Sequence, residues 1–255
     1  MALETLVQSP WWIRSNVRGT PRVRLFCFPM AGSAASLFGG WAAALPEGVE
    51  LYALQMPGRE NRMRETPIRN LADAVEGIVA AYESLQLSDD LPTYFFGYSL
   101  GGLLTFETAR ALRRAGKRLP KRLLIAATPA PDSDRSRIPK IHHLPDPELI
   151  TMLRSFQGTP DAILNNMELM SLLLPVVRAD FELIEKYRFT PGPPLPIPIV
   201  AFGGVSDTDV RPDEVAEWSS QTSSEFSLQF MPGDHFFIKT AQDRLLEGIA
   251  RQLNG

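Results

Sequence analysis

One stretch of sequence, Tyr94–Leu104, constrains the fold of this chain more than any other feature. It begins with an apolar run that predicts a strand, continues through Gly97-Tyr98-Ser99-Leu100-Gly101, and ends in apolar positions at helical spacing. A G-x-S-x-G sequence in that context predicts a sharp strand-to-helix turn, because only small residues beside the serine let strand and helix pass closely. Ser99 at the apex is therefore a candidate nucleophile; the alternative is an ordinary glycine-rich turn.

A nucleophilic serine needs a histidine base, because its hydroxyl is a poor nucleophile at neutral pH. The chain has three histidines. His235 follows an alternating strand and a Pro-Gly-Asp turn, which places it past the carboxyl end of a strand, where open α/β sheets form their sites. We interpret His235 as the base, with a structural turn histidine as the alternative. His142 and His143, side by side in a proline-flanked loop, are the less favoured candidates.

The carboxylate that orients the histidine is expected between Ser99 and His235, because α/β-hydrolases have the order Ser, Asp or Glu, His. A short apolar strand near 198–202 is followed by two aspartates, Asp207 and Asp209. Asp207 is the first choice, since it lies nearer the strand end. Asp209 is the alternative, although it fits better as a cap for the short helix that begins near Arg211.

Acyl transfer also needs two backbone N–H groups that stabilise the developing oxyanion. In this type of site one comes from the residue after the nucleophile, here Leu100. The other comes from an early strand-to-helix loop, which the small residues after Phe28 provide. Either Met30 or Ala31 is the expected second donor.

Five segments together resemble the type II thioesterases of polyketide and nonribosomal peptide assembly lines. They are spread from about Arg22 to the last helix, which is nearly the whole chain. The segments are Phe28–Gly32, Gln55–Arg62, Gly97–Gly101, Leu173–Phe181 and Gly233–Phe237. The second and fourth make the resemblance specific, because α/β-hydrolases in general do not require them.

This resemblance implies a discrete hydrolase that cleaves acyl thioesters from the phosphopantetheine arm of acyl or peptidyl carrier proteins, often to clear aberrant groups. By position it implies the triad Ser99, Asp207 and His235, in agreement with the analysis above. Two positions depart from the family pattern, since Met30 and Tyr98 stand where the family commonly has histidine. These changes leave the triad intact and concern the shape of the pocket.

Alternating strands and helices predict an α/β-hydrolase fold with a mostly parallel central sheet flanked by helices. Strands are predicted near 23–28, 49–54, 92–97, 122–127, 198–202 and 226–230, and a helix over about 70–86 with Asn70 as its N-cap. Residues of about 145–187 show only helical spacing and predict a lid inserted between sheet strands. Tyr98, Met170 and Phe236 are the predicted substrate-binding side chains, although core packing explains the apolar lid residues equally well.

Composition agrees with one domain over residues 1–255, because 255 residues with 44% hydrophobic side chains can bury a single sizeable core. A net charge of −3 lacks the excess of basic residues that binding to nucleic acid or to an anionic membrane requires. The single cysteine, Cys27, excludes an internal disulfide and fits a reducing cytoplasm. We expect a cytoplasmic monomer without metal or organic cofactor.

Two other function classes are compatible with the same fold. The first is a carboxylesterase or lipase-like hydrolase of small-molecule esters, which has the same triad and an oxygen leaving group. The second is a non-catalytic binding protein of the hydrolase fold, which the complete set of Ser99, Asp207 and His235 disfavours.

Overall fold

The computed structural model describes residues 9–88, 90–134 and 139–253. A seven-stranded sheet with the order β1-β3-β2-β4-β5-β6-β7 forms the centre of the molecule. Only β1 is antiparallel to its neighbour, and the other six strands run parallel. The strands are β1 (Trp12–Arg14), β2 (Val23–Phe28), β3 (Val49–Leu54), β4 (Thr93–Tyr98), β5 (Arg122–Ala126), β6 (Ile199–Gly204) and β7 (Phe226–Met231).

Helices cover both faces of this sheet, which explains why its central strands are continuous apolar runs. Strand β2 is buried at every residue. Its alternate side chains enter two separate cores, with Phe26 and Phe28 in one and Leu25 and Cys27 in the other. The helices are α1 (Trp41–Ala44), α2 (Leu71–Ser84), α3 (Leu100–Arg114), α4 (Asp146–Ser155), α5 (Asp161–Leu164), α6 (Met167–Lys186), α7 (Pro212–Ala216), α8 (Phe237–Thr240) and α9 (Gln242–Leu253).

The predicted fold class is confirmed, and the six predicted strands lie within two residues of their expected bounds. Asn70 caps α2 as predicted, since its side-chain oxygen accepts a hydrogen bond from Ala72 N at 2.8 Å. Strand β1 was not predicted, because three residues on a sheet edge, of which only Trp12 is buried, carry little periodic signal. Among the described residues, no helix has the length and apolar character required to cross a bilayer.

The segment predicted as a lid is helical and lies between β5 and β6 in the chain, where α4, α5 and α6 follow one another. We call residues 145–187 the helical insertion. It has a small core of its own, separate from the two cores of the sheet. That core consists of Ile141, Leu149, Leu153, Leu164, Met170, Leu174 and Val177. Movement of the insertion as a lid stays a prediction.

Candidate active site

Ser99 occupies the turn between β4 and α3 in a strained backbone conformation. Its φ of 53° and ψ of −116° lie where residues other than glycine are rarely found. The turn is held by neighbouring strand ends, because Ser99 N donates to Ala126 O at 2.8 Å and Thr128 Oγ1 donates to Ser99 O at 2.9 Å. Strain that is fixed in this way presents the Ser99 side chain at the sheet edge in one orientation.

Two glycines allow the close packing that surrounds this turn. A Cβ on Gly101 would lie 2.0 Å from Phe28 O, and one on Gly97 would lie 2.2 Å from Gly101 O. No side chain fits at either position. The first turn of α3 therefore lies directly against the end of β2 and the loop that follows it, residues 29–33, which we call the β2 loop.

Ser99, His235 and Asp207 are joined by a continuous chain of hydrogen bonds. His235 Nε2 lies 3.2 Å from Ser99 Oγ, and His235 Nδ1 lies 2.9 Å from Asp207 Oδ2. The Asp207 side chain is almost completely buried, whereas the imidazole keeps 14% of its surface exposed. The order nucleophile, imidazole, buried carboxylate is the arrangement in which the imidazole can accept the serine proton.

The loop after β6 distinguishes the two candidate aspartates. Asp207 Oδ1 accepts hydrogen bonds from Asp209 N and Val210 N, each at 2.9 Å, so the loop itself fixes the carboxylate beneath the imidazole. Asp209 contributes its backbone amide to this arrangement. The residue is otherwise exposed, and it lies at the edge of a cavity beside Ser99 that is described below. Desolvation in the loop raises the pKa of Asp209; the charge of His235 opposes this shift, and that of Asp207 adds to it.

A cavity of about 240 Å³ opens beside Ser99. Met30, Ala31 and Leu100, the predicted oxyanion-hole residues, line it together with Ser99 and His235. Its apolar wall is formed largely by side chains that the sequence analysis missed, except for the predicted Phe236. This wall includes Leu103, Phe156, Phe181, Ile184 and Phe236. Phe181 stands in one of the segments that carry the family resemblance, which was the available signal.

The structure does not bring Tyr98 to the cavity wall, which corrects its predicted role in substrate binding. Its side chain is fully buried in the core on one face of the sheet. Tyr98 Oη donates to His235 O at 2.6 Å and accepts from Ile238 N at 3.2 Å. Burial raises the pKa of Tyr98, so the phenol stays protonated and holds the backbone of His235.

Met170 is likewise absent from the cavity wall. It is 1% exposed and packs inside the core of the helical insertion. An apolar stripe identifies a buried helix face but does not show which of two apolar neighbours the face meets. The core-packing alternative therefore applies to Met170.

His142 and His143 lie outside the Ser99 cavity lining, and His142 Nδ1 pairs with Glu185 of α6. Within the described ranges, two groups of three side chains bring potential metal-ligand atoms within 4.8 Å of one another: His142, His143 and Glu185, and Asp207, Asp209 and His235. In both groups the possible ligand atoms already form hydrogen bonds. Glu185 also accepts hydrogen bonds from two backbone amides, and Asp207 is hydrogen-bonded to His235. The expectation that no metal is needed stays a prediction.

Comparisons with known proteins identify the family of this chain. The sequence profile of the thioesterase domain matches residues 23–253. Gramicidin S biosynthesis protein GrsT of Aneurinibacillus migulanus is 40% identical over 243 residues, which cover 95% of this chain and 93% of that protein.

Two solved structures are similar over nearly their whole length. The type II thioesterase BorB from the borrelidin biosynthetic cluster is 33% identical with a TM-score of 0.86, covering 96% of this chain and 98% of that chain. The prodiginine-pathway thioesterase RedJ of Streptomyces coelicolor is 34% identical with a TM-score of 0.85, covering 93% of this chain and 94% of that chain. The predicted resemblance is confirmed, and this chain belongs to the thioesterase domain family.

Proposed function

We propose that this protein hydrolyses acyl thioesters carried on the phosphopantetheine arm of acyl or peptidyl carrier proteins. The observation that carries the proposal is the hydrogen-bonded chain Ser99, His235, Asp207 at the mouth of an apolar cavity. A cavity of this kind suits an acyl chain, because apolar walls bind hydrocarbon and a few polar groups fix the reacting end. The family membership supports a thioester rather than an oxygen ester as the substrate.

In the proposed mechanism Ser99 Oγ attacks the thioester carbonyl while His235 Nε2 accepts the hydroxyl proton. Asp207 holds the other ring nitrogen and stabilises the imidazolium that forms. The C–S bond then breaks, His235 returns the proton to the sulfur, and an acyl-serine remains. A water molecule, deprotonated by His235, then attacks that ester. The bond between the acyl carbon and Ser99 Oγ breaks, Oγ takes the proton back from His235, and the free acid leaves. Every group in this sequence belongs to the chain or the substrate, so no cofactor is required.

The oxyanion of each tetrahedral intermediate is proposed to accept hydrogen bonds from Leu100 N and from one amide of the β2 loop, Met30 N or Ala31 N. Supporting this, all three residues line the cavity beside Ser99. Because Gly101 has no side chain, the first turn of α3 can lie directly against Phe28 O, which brings the two segments close together.

Carrier proteins of a polyketide or nonribosomal peptide pathway are the proposed partners, with removal of stalled acyl groups as the role. Support comes from relatives of this length that are named for such pathways, including GrsT for gramicidin S and BorB for borrelidin. The monomeric state and the cytoplasmic location stay predictions.

The test is a panel of carrier proteins loaded with acetyl, branched, malonyl-type and long acyl groups, with release followed by intact mass. We expect release that requires Ser99, and faster turnover of an acyl-pantetheine thioester than of the matched oxygen ester. Equal or faster turnover of the oxygen ester, with no release from any carrier, would instead identify an esterase.

A further inference from the structure

A buried ion pair lies directly behind the β2 loop. Asp180 of α6 is 0% exposed at its side chain, and Arg59, which follows β3, is 6% exposed. Arg59 Nη2 donates to Asp180 Oδ1 at 2.8 Å, and Arg59 Nη1 donates to Asp180 Oδ2 at 2.9 Å. Such a bidentate pair fixes the plane and the direction of both groups.

The same two side chains also bind the backbone of the β2 loop. Asp180 Oδ2 accepts a hydrogen bond from Gly32 N at 2.8 Å, and Arg59 Nη1 donates to Ser33 O at 2.7 Å. One amide and one carbonyl of consecutive residues are therefore held by a single rigid pair. Met30 and Ala31, whose amides are the proposed oxyanion donors, immediately precede these two anchors.

Neighbouring residues extend the support toward the far end of the loop. Gln55 Oε1 accepts from Ala35 N at 2.9 Å, and Arg62 Nη1 donates to Gln55 O at 2.8 Å. The segment 55–62 thus contacts the chain just after the β2 loop through Gln55, and Arg62 holds the backbone of Gln55 in place. None of these contacts reaches Ser99, so the network acts on the loop and not on the nucleophile.

Stability alone is a weak explanation for a charged pair at this position, because apolar side chains of similar volume commonly stabilise a core as well as a buried ion pair does. What an apolar pair cannot provide is a directed acceptor for Gly32 N and a donor for Ser33 O. We propose that Arg59 and Asp180 are positioning residues, which hold the β2 loop so that its amide points at the oxyanion. This inference rests on the proposed function.

Because the oxyanion forms only during the reaction, a loosened loop should weaken transition-state binding and leave ground-state binding of the acyl group nearly unchanged. Small misplacements of a catalytic group cost about 10²-fold in rate, similar to the loss of one oxyanion donor. The expected signature is a fall in kcat with an almost constant KM.

Two variants test the proposal. Asp180→Asn keeps the shape of the side chain but removes its charge and one acceptor. The double variant Arg59→Met with Asp180→Leu removes the pair without leaving a buried charge, and therefore keeps the core filled if the single variant folds poorly. The matched control is Glu182→Gln on the same helix. It weakens the ion pairs of Glu182 with Arg69 and Lys186, which are exposed side chains outside the β2 loop.

Each variant is measured for kcat and KM with an acyl-pantetheine thioester, for melting temperature, and for affinity toward an alkylboronic acid. In the boronate complex Ser99 Oγ bonds to boron, His235 holds the hydroxyl proton, and a boronate oxygen takes the place of the oxyanion. We expect kcat and boronate affinity of both test variants to fall in parallel by about 10²-fold, with KM within about threefold of the wild type. Glu182→Gln should leave all three constants within about twofold.

Test variants that melt at lower temperature but keep the wild-type kcat and boronate affinity would overturn the positioning role. A loss of affinity for substrate alone, seen as raised KM with unchanged kcat, would overturn it as well. Failure of the proposed function is a different result: wild-type protein would then release no acyl group from any thioester, whatever the state of Arg59 and Asp180.

Discussion

At the scale of single residues, the site depends on backbone positions that would be unfavourable in isolation. Ser99 adopts a positive φ. At Gly97 and Gly101, on either side of it, the packing leaves no room for a side chain. Tyr98 and Asp207 then fix the imidazole from two sides, one through the His235 carbonyl and one through Nδ1. The nucleophile and the base are therefore aligned before substrate binds, which is what a serine hydrolase requires.

Ser99→Ala should abolish thioester hydrolysis and leave the fold unchanged, because the hydroxyl contributes little to packing. The expected loss in kcat is about 10⁴-fold or more, as for other serine nucleophiles. Single-turnover acyl release and a circular dichroism melt measure the two effects separately. If a correctly folded variant retained more than about a tenth of the activity, Ser99 could not be the nucleophile.

The two aspartates of the β6 loop give a matched pair of substitutions. Asp207→Asn should lower kcat by about 10³- to 10⁴-fold, because the imidazole loses the carboxylate that fixes its tautomer and stabilises its charged form. Asp209→Asn should change kcat by less than about tenfold, because its backbone amide, which bonds Asp207, is retained. Steady-state kinetics on both variants decides the matter, and the reverse ranking would assign the acid to Asp209.

At the scale of elements, helix α6 contacts different parts of the molecule along its length. Met170, Leu174 and Val177, in its first and middle parts, pack into the core of the helical insertion. Pro175 interrupts the hydrogen-bond ladder of the helix. The second half brings Phe181 and Ile184 to the cavity and Asp180 to the β2 loop. One helix of the insertion thus contacts both the cavity beside Ser99 and the loop that carries the proposed oxyanion donors.

Two substitutions to tryptophan on α6 should therefore have different effects, one on substrate preference and the other on stability. Ile184→Trp fills part of the cavity and should reduce kcat/KM for octanoyl relative to acetyl thioesters. The expected loss corresponds to about 1–3 kcal/mol in the free energy of activation. Met170→Trp overpacks the core of the insertion and should lower stability by about 1–3 kcal/mol with the substrate ratio unchanged. The measurements are kcat/KM for both thioesters and the melting temperature. A shifted ratio for Met170→Trp would return that residue to the cavity wall.

At the scale of the whole molecule, one mostly parallel sheet separates two apolar cores, and both are built on the same strands. Strand β2 lies between β3 and β4 in this sheet, and its end leads directly into the β2 loop. Cys27, one residue before that end, is fully buried among apolar side chains. Access to its thiol therefore reports on the opening of the sheet as a whole.

Burial raises the pKa of the Cys27 thiol, and the reactive form of cysteine is the thiolate. We expect a thiol reagent at pH 8 to label the native protein at least about 10³-fold more slowly than the protein unfolded in guanidinium, since labelling needs global opening. Mass spectrometry over time measures both rates. Rapid labelling of the native protein would show that the sheet opens locally at β2.

The sequence by itself determined the strand–turn–helix unit at Ser99, the order of strands and helices along the chain, and the pair of candidates His235 and Asp207. These features are local, because apolar periodicity and glycine positions report directly on the backbone. Only the tertiary structure decided what the side chains of Tyr98, Met170 and Asp180 touch. Tyr98 meets His235 across 137 positions of the chain, and Asp180 meets Arg59 across 121. Met170 instead meets the other helices of the insertion. A periodic pattern fixes which face of an element is buried, but packing between distant segments decides what that face meets.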